Sequence, residues 1–151
     1  MSDEPRTIWV VRHAEKAEHP HGAGLRDVEL SPRGRARAAA LPEIVPPSTL
    51  RDIVVTRYRR TAQTAEAVTR ASGLAPTVLP ANDIEGIVGH VRAVGGNVLV
   101  VGHCDTVPSI LAELGVREQV ELTLQDYGDV FRVELVQGVT PRLARLRFGD
   151  P

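Results

Sequence analysis

NVLVVGHCDTVPSILAELG, residues 97–115, opens on a continuous apolar run, turns at Gly102, and continues into a stretch that suits a helix. An apolar run this short and rich in β-branched residues reads as a strand of a parallel sheet covered on both faces. Thr106 is expected to cap a helix running to Leu114, with Gly115 ending it. Two further segments repeat the pattern. TIWVV at 7–11 is a buried strand that runs into Arg12 and His13, and DIVV at 52–55 is a strand that runs into Thr56, Arg57, Arg59 and Arg60.

Strands alternate with helical segments along most of the chain, the signature of an α/β fold. Ser31 followed by Pro32 is an N-cap with proline in the first helical position, so RGRARAAAL continues as a helix that Pro42 ends or kinks. A second helix spans about Arg59 to Ser72 and stops at Gly73. A third runs from Asn82 or Asp83 to about Val94, with Ile84, Ile87, Val88 and Val91 at helical spacing. TVL at 77–79 reads as a short strand. The tail changes character: VFRVELV and RLARLRF flank QGVTP and partly alternate, as the half-exposed strands of an antiparallel edge hairpin do. The expected architecture is a three-layer α/β/α sandwich with a mostly parallel sheet and this hairpin at its edge.

The 151 residues, 42% hydrophobic and 25% charged, suit a single domain over 1–151, long enough to bury about 68–70% of its unfolded surface. The polar start MSDEPR and the lack of a long apolar run predict neither secretion nor a membrane partner. Cys104 is the only cysteine, which fits a reducing compartment, so the expected location is cytoplasmic. A net charge of −1 argues against nucleic acid or membrane held by bulk charge. Seventeen of the eighteen basic residues are arginines, so any oxyanion site is built from guanidinium forks. His19 and His21 in an HPH loop lack the carboxylate or thiolate partners of a metal site.

Ligands of open α/β sheets bind outside the carboxyl ends of the strands. Three parallel strands would carry Arg12, His13, the 57–60 arginines and His103 to one edge, and helices starting near Arg59 and Thr106 would add their positive ends. Such a pocket suits a phosphoryl group.

At these residues the chain resembles the histidine phosphatase superfamily, the phosphoglycerate-mutase-like enzymes. VVRHAEK at 10–16 is similar to the family's Arg-His signature, TRYRRTAQTA at 56–65 to its second-arginine motif, and VVGHCDTVP at 100–108 to its second-histidine motif; ELSPRGRARAAAL at 29–41 is similar to its first helix. The resemblance implies that His13 is the nucleophile, that Arg12 and Arg60 clamp the phosphoryl group, and that His103 binds its oxygens. It implies a phosphohistidine intermediate resolved by water, with no metal or other cofactor. The leaving-group acid would come from the region after the third strand, where Asp83 is the first choice and Glu85 is near; helix capping is the other reading of Asp83. Glu15 is a second candidate at the mouth, for proton transfer or substrate contact, or as a partner of Lys16 or an arginine. Arg57 is a candidate outer substrate contact, and Arg59 a surface charge.

Hydrolysis is expected rather than mutase chemistry, because the chain leaves little room for the insertions that would exclude water. The expected partner is a small phosphorylated substrate or a phosphoprotein, the latter because size and open site resemble the small phosphohistidine phosphatases. Two alternatives stand beside this. One is a binding module that keeps the clamp and lacks the acid. The other is a metal-dependent hydrolase, since GHCDTVP also resembles a zinc aminoacylase motif, but the chain is too short beyond it for the remaining ligands.

Overall fold

A computed structural model describes residues 5–18 and 27–150; His19 and His21 lie outside them. In chain order the elements are β1 (Arg6–Arg12), α1 (Pro32–Ala39), β2 (Leu50–Val55), α2 (Arg59–Ser72), β3 (Thr77–Val78), α3 (Ile84–Val94), β4 (Asn97–Gly102), α4 (Thr106–Glu113), β5 (Asp129–Leu135) and β6 (Arg142–Arg147), with short 3-10 turns at Leu41–Glu43 and Pro47–Thr49. The strands form one six-stranded sheet in the order β3-β2-β4-β1-β5-β6. Its first four strands are mutually parallel, β5 pairs antiparallel with β1, and β6 pairs antiparallel with β5.

Two apolar layers fill the faces of this sheet. Ile8, Val10, Val54, Val98 and Val100 point to one side and pack with Ile87, Val88 and Val91 of α3 and Val107, Ile110 and Leu111 of α4. Trp9, Val11, Ile53, Val55, Leu99 and Val101 point to the other and pack with Ala65 and Val68 of α2, Leu41 and Val45. The central strands are thus buried on both faces, as their unbroken apolar runs require. Burying a side chain of this size stabilises by roughly 1.5–3 kcal/mol.

Local chemistry sets most element boundaries. Ser31 accepts the Gly34 amide at 3.0 Å and starts α1 before Pro32. Gly73, at φ 75°, ends α2, and Gly95, also at φ 75°, ends α3. Three expectations change. α1 ends at Ala39, and the Pro42 segment continues as a 3-10 turn. Thr106 does not cap α4: Asp105 holds the N-cap position, and the Thr106 hydroxyl accepts the His103 amide at 3.0 Å. The antiparallel hairpin forms the sheet edge as expected, but its first strand is not half-exposed: β5 sits between β1 and β6 with Val130, Phe131, Val133 and Leu135 buried, and only β6 keeps that pattern.

The segment after β1 is fixed to α1 by backbone. Ser31 donates its amide to the Glu15 carbonyl at 2.9 Å, and a Cβ at Gly34 would run into that same carbonyl oxygen. Gly89 on α3 faces open space. Gly34→Ala should therefore destabilise by about 1–3 kcal/mol through overpacking, whereas Gly89→Ala should stabilise by about 0.5–1 kcal/mol through helix propensity. Urea unfolding of the two variants beside the parent protein checks both signs.

Candidate active site

The parallel register sets Arg12 at the end of β1 opposite Gly102 at the end of β4, and the His13 amide continues the ladder by donating to the Gly102 carbonyl at 2.9 Å. His13 and His103 therefore leave neighbouring strands side by side, with ring centroids 5.4 Å apart and planes at 65°. Gly102 lets the start of α4 pack close to this strand end, because a Cβ there would stand 3.0 Å from the Thr106 hydroxyl. Both histidines are buried, as is Arg12.

Each group is held from a different part of the chain. The His13 Nδ1 stands 2.7 Å from the Ala14 carbonyl oxygen, an acceptor, so Nδ1 carries the proton and the lone pair is on Nε2. Ala14 donates its amide to the Thr64 hydroxyl of α2 at 2.9 Å, which fixes the turn beyond His13. His103 Nε2 lies 3.1 Å from the Thr56 hydroxyl, which is itself 3.1 Å from the Thr61 hydroxyl. Arg12 donates through Nη1 to the carbonyls of Thr123 at 3.1 Å and Asp126 at 2.7 Å, and its Cζ lies 3.9 Å from the Tyr127 ring centroid. The Arg60 Cζ lies 4.6 Å from the Tyr58 ring centroid.

Apart from Arg37 and Asp129, every buried polar side chain of the described residues belongs to this assembly: Arg12, His13, Thr56, Thr61, Thr64, His103 and Thr106. The Nε donor of Arg12 is buried without a hydrogen-bond partner. A buried guanidinium donor of this kind calls for an acceptor, and an oxyanion supplies one.

Burial pushes the His13 pKa down to about 3; the bond to Ala14 opposes this, and Arg60, His103 and Arg12 add to it. Burial likewise lowers His103 to about 4, helped by Arg60, opposed by Asp105, and helped again by Arg12. Both rings are neutral at pH 7. The free site is a pair of neutral imidazoles beside two guanidiniums, a combination suited to a nucleophile facing an anion.

Other expected residues are placed elsewhere. Glu15 does not open to the mouth: it accepts from Arg37 Nε at 2.9 Å and Arg37 Nη2 at 3.1 Å, and pairs with Arg33 at 3.3 Å. Burial raises its pKa, but the Arg37 bonds outweigh that and bring it below the usual range. Of the expected readings this is the partnership with an arginine, and it makes Glu15 the anchor of the His13 loop. Asp83 caps α3 by accepting the Gly86 amide at 3.0 Å and is exposed. Arg57 is exposed beside Tyr58, with its Cζ 5.2 Å from that ring. Arg59 pairs with Asp27, which also accepts the Arg59 amide at 2.8 Å. His90 bonds Asp52 at 2.6 Å, away from the site. Among the described residues no three His, Cys, Asp or Glu side chains gather as a metal-binding group. No helix among them is long and apolar enough to cross a membrane. An open groove of about 840 Å³ lies at the opposite end of the sheet, where Arg6 and Arg92 are spent on the final carbonyls of α3 and α4.

Thr56, Thr61, Thr64, Tyr58 and Tyr127 are site residues that the sequence reading left out. Thr61 and Thr64 carry a signal in retrospect, since they fall on the same buried stripe of α2 as Ala65 and Val68. Tyr127 carries none, being far along the chain in an irregular segment.

Residues 8–82 match the family model of the histidine phosphatase superfamily, branch 1. The chain belongs to that superfamily. Among curated proteins, 6-phosphofructo-2-kinase/fructose-2,6-bisphosphatase 4 of Homo sapiens is 38% identical over 66 residues, 42% of this chain and 14% of that protein. The corresponding protein 3 of Bos taurus is 40% identical over 67 residues, 43% of this chain and again 14% of the relative, so the chain spans a small part of either. Among solved structures, the protein histidine phosphatase SixA complexed with tungstate is 19% identical, with a TM-score of 0.72 over 93% of this chain and 96% of that one. A mycobacterial glucosyl-3-phosphoglycerate phosphatase gives 16% and 0.70 over 95% and 99%. These likenesses place the fold among the phosphoglycerate-mutase-like architectures.

Two measurements follow. The depressed histidine pKa values mean that the unfolded chain takes up protons below about pH 6.5 while the native state does not until about pH 4 to 3. The contribution of these residues is therefore full above pH 6.5 and is lost as pH falls through that window. Urea midpoints against pH should drop over this range, and His103→Asn should flatten the drop. Asp83 is separable because asparagine caps as well as aspartate does. Asp83→Asn should keep both stability and turnover, and Asp83→Ala should lose about 1 kcal/mol of stability with turnover retained. A fall in turnover common to both variants would return Asp83 to the role of acid.

Proposed function

We propose that this chain is a metal-independent phosphatase that hydrolyses a phosphomonoester or a phosphohistidine through a covalent phosphohistidine on His13. The observation that carries the reading is the His13 ring, buried, neutral and bound through Nδ1 to the Ala14 carbonyl, beside Arg12, Arg60 and His103. Family membership, the strand-end positions of Arg12, His13 and His103, and the place of Arg60 in the first turn of α2 support it.

In the first step the Nε2 lone pair forms a bond to phosphorus and the bond from phosphorus to the leaving atom breaks. The leaving group departs with the electron pair and takes a proton from water where its basicity demands one. Arg12 and Arg60 balance the charge on the phosphoryl oxygens, the part a metal plays in other phosphoryl-transfer sites. In the second step water attacks phosphorus and loses a proton to solvent, the P–N bond breaks, and the pair returns to Nε2. His103 faces the same oxygens and is kept in place by Thr56. The expected partner is a small phosphorylated molecule or a phosphoprotein; the likeness to a protein histidine phosphatase supports the second.

Para-nitrophenyl phosphate tests the chemistry, because its leaving group departs without a proton. In excess chelator the intact protein should turn it over, and His13→Ala should lose at least about 100-fold, the scale of removing a nucleophile from a preorganised site. Turnover unchanged in His13→Ala would overturn the assigned nucleophile. Phosphate binding without turnover on any phosphomonoester would favour a binding module.

A further inference from the structure

The two tyrosines of this aromatic-poor chain both stand at the phosphoryl pocket, although one precedes α2 and the other precedes β5. Their placement is paired. Tyr127 stacks on Arg12 and lies 6.3 Å from the His13 ring at 58°. Tyr58 stacks on Arg60 and lies 5.4 Å from the His103 ring at 82°.

Depth separates the tyrosines from three of the four groups they touch, Arg60 being half-buried as they are. Arg12, His13 and His103 are buried, and both tyrosines are half-buried. A phosphoryl group bonded to the buried His13 ring has its leaving atom on the side of phosphorus away from that ring, because displacement is in line. The rest of the substrate therefore extends outward, to the level of the two phenol rings. Aromatic rings prefer offset or edge-on contact with another ring and gain from it beyond area alone. A saturated alcohol of the same size gains the area and not the ring contact.

We propose that Tyr58 and Tyr127 are specificity-determining walls of the leaving-group site, selecting phosphoryl groups carried on a flat aromatic ring over those carried on saturated alcohols. The proposal rests on the phosphatase reading above and deepens it. The stacked arginines make a second role conceivable, that the tyrosines only hold the clamp, and the two roles differ in what a substitution does.

Phenyl phosphate and cyclohexyl phosphate are leaving groups of equal ring size and different flatness. In Tyr58→Leu and in Tyr127→Leu, kcat/KM for phenyl phosphate should fall roughly 3- to 10-fold, the scale of an aromatic pair, while that for cyclohexyl phosphate changes less than about 2-fold, within the scale of one lost edge contact. Tyr58→Phe and Tyr127→Phe should keep the parent ratio. The thermal shift produced by inorganic phosphate should survive in the leucine variants, showing folded proteins with an intact clamp. Equal losses on both substrates, or a lost phosphate shift, would overturn the proposal in favour of a clamp-holding role, and unchanged values on both would overturn it outright. Failure of the phosphatase reading has another signature: the intact protein would hydrolyse neither ester nor para-nitrophenyl phosphate.

Discussion

The parallel pairing of β1 with β4 fixes the distance between the two histidines, and nearly everything else at the site is arranged around that pair. Ile8 lies opposite Val98, Trp9 opposite Leu99, Val10 opposite Val100 and Val11 opposite Val101, so residues of like face pair throughout. Ile8, Val10, Val98 and Val100 enter one apolar layer; Trp9, Val11, Leu99 and Val101 enter the other. A slip of one residue would set each side chain beside a neighbour of the opposite face and move His13 along the strand relative to His103. The core thus enforces the spacing of the two histidines. Because both faces are dry, that enforcement draws on many buried side chains at once rather than on contacts within the site.

The same burial determines the charge state of the site. Two imidazoles placed between two arginines in a dry pocket cannot easily hold protons, and the structure supplies a backbone carbonyl to His13 and a threonine hydroxyl to His103, not carboxylates, as their partners. This choice has a chemical consequence. A carboxylate bonded to His103 would favour its protonated form and cancel part of the field of Arg12 and Arg60. Hydroxyls satisfy the ring nitrogen without charge, leaving the positive field to an incoming anion. Asp105 is the nearby exception: it opposes the lowering of His103, but more weakly than burial and Arg60 favour it.

What the amino-acid order discloses divides along the same line. The ends of α2 at Arg59 and Ser72, the glycine stops at Gly73 and Gly95, and the strand-end positions of Arg12, His13 and His103 rest on local chemistry, and a local reading finds them. Arg60 as the expected clamp came from the family resemblance of TRYRRTAQTA at 56–65. The cap of α4 was misplaced and the role of Glu15 stayed open among several readings, because a hydroxyl and a carboxylate each had several partners within reach, and only the packed chain chooses among them. Tyr127 was invisible for a stronger reason. Its contact with Arg12 joins segments more than a hundred residues apart, and no spacing rule describes an irregular segment returning to the first strand.

That return shows how the two ends of the chain share the support of His13. On one side α2 holds the following turn through Thr64 and, at Leu30, through Gln63. On the other, Arg37 is 5% exposed and grips Glu15, the Phe148 carbonyl at 2.7 Å and Asp150 at 3.0 Å. Such a buried guanidinium adds little net stability, since its desolvation offsets much of the attraction. Its value is geometric: removing one partner leaves a buried charge unsatisfied, so the loop, α1 and the segment after β6 keep one arrangement or lose several bonds together. His13 is therefore held by the sheet along the strand axis and by charged and hydroxyl partners across it. The positioning that phosphoryl transfer demands comes from these two constraints acting at right angles.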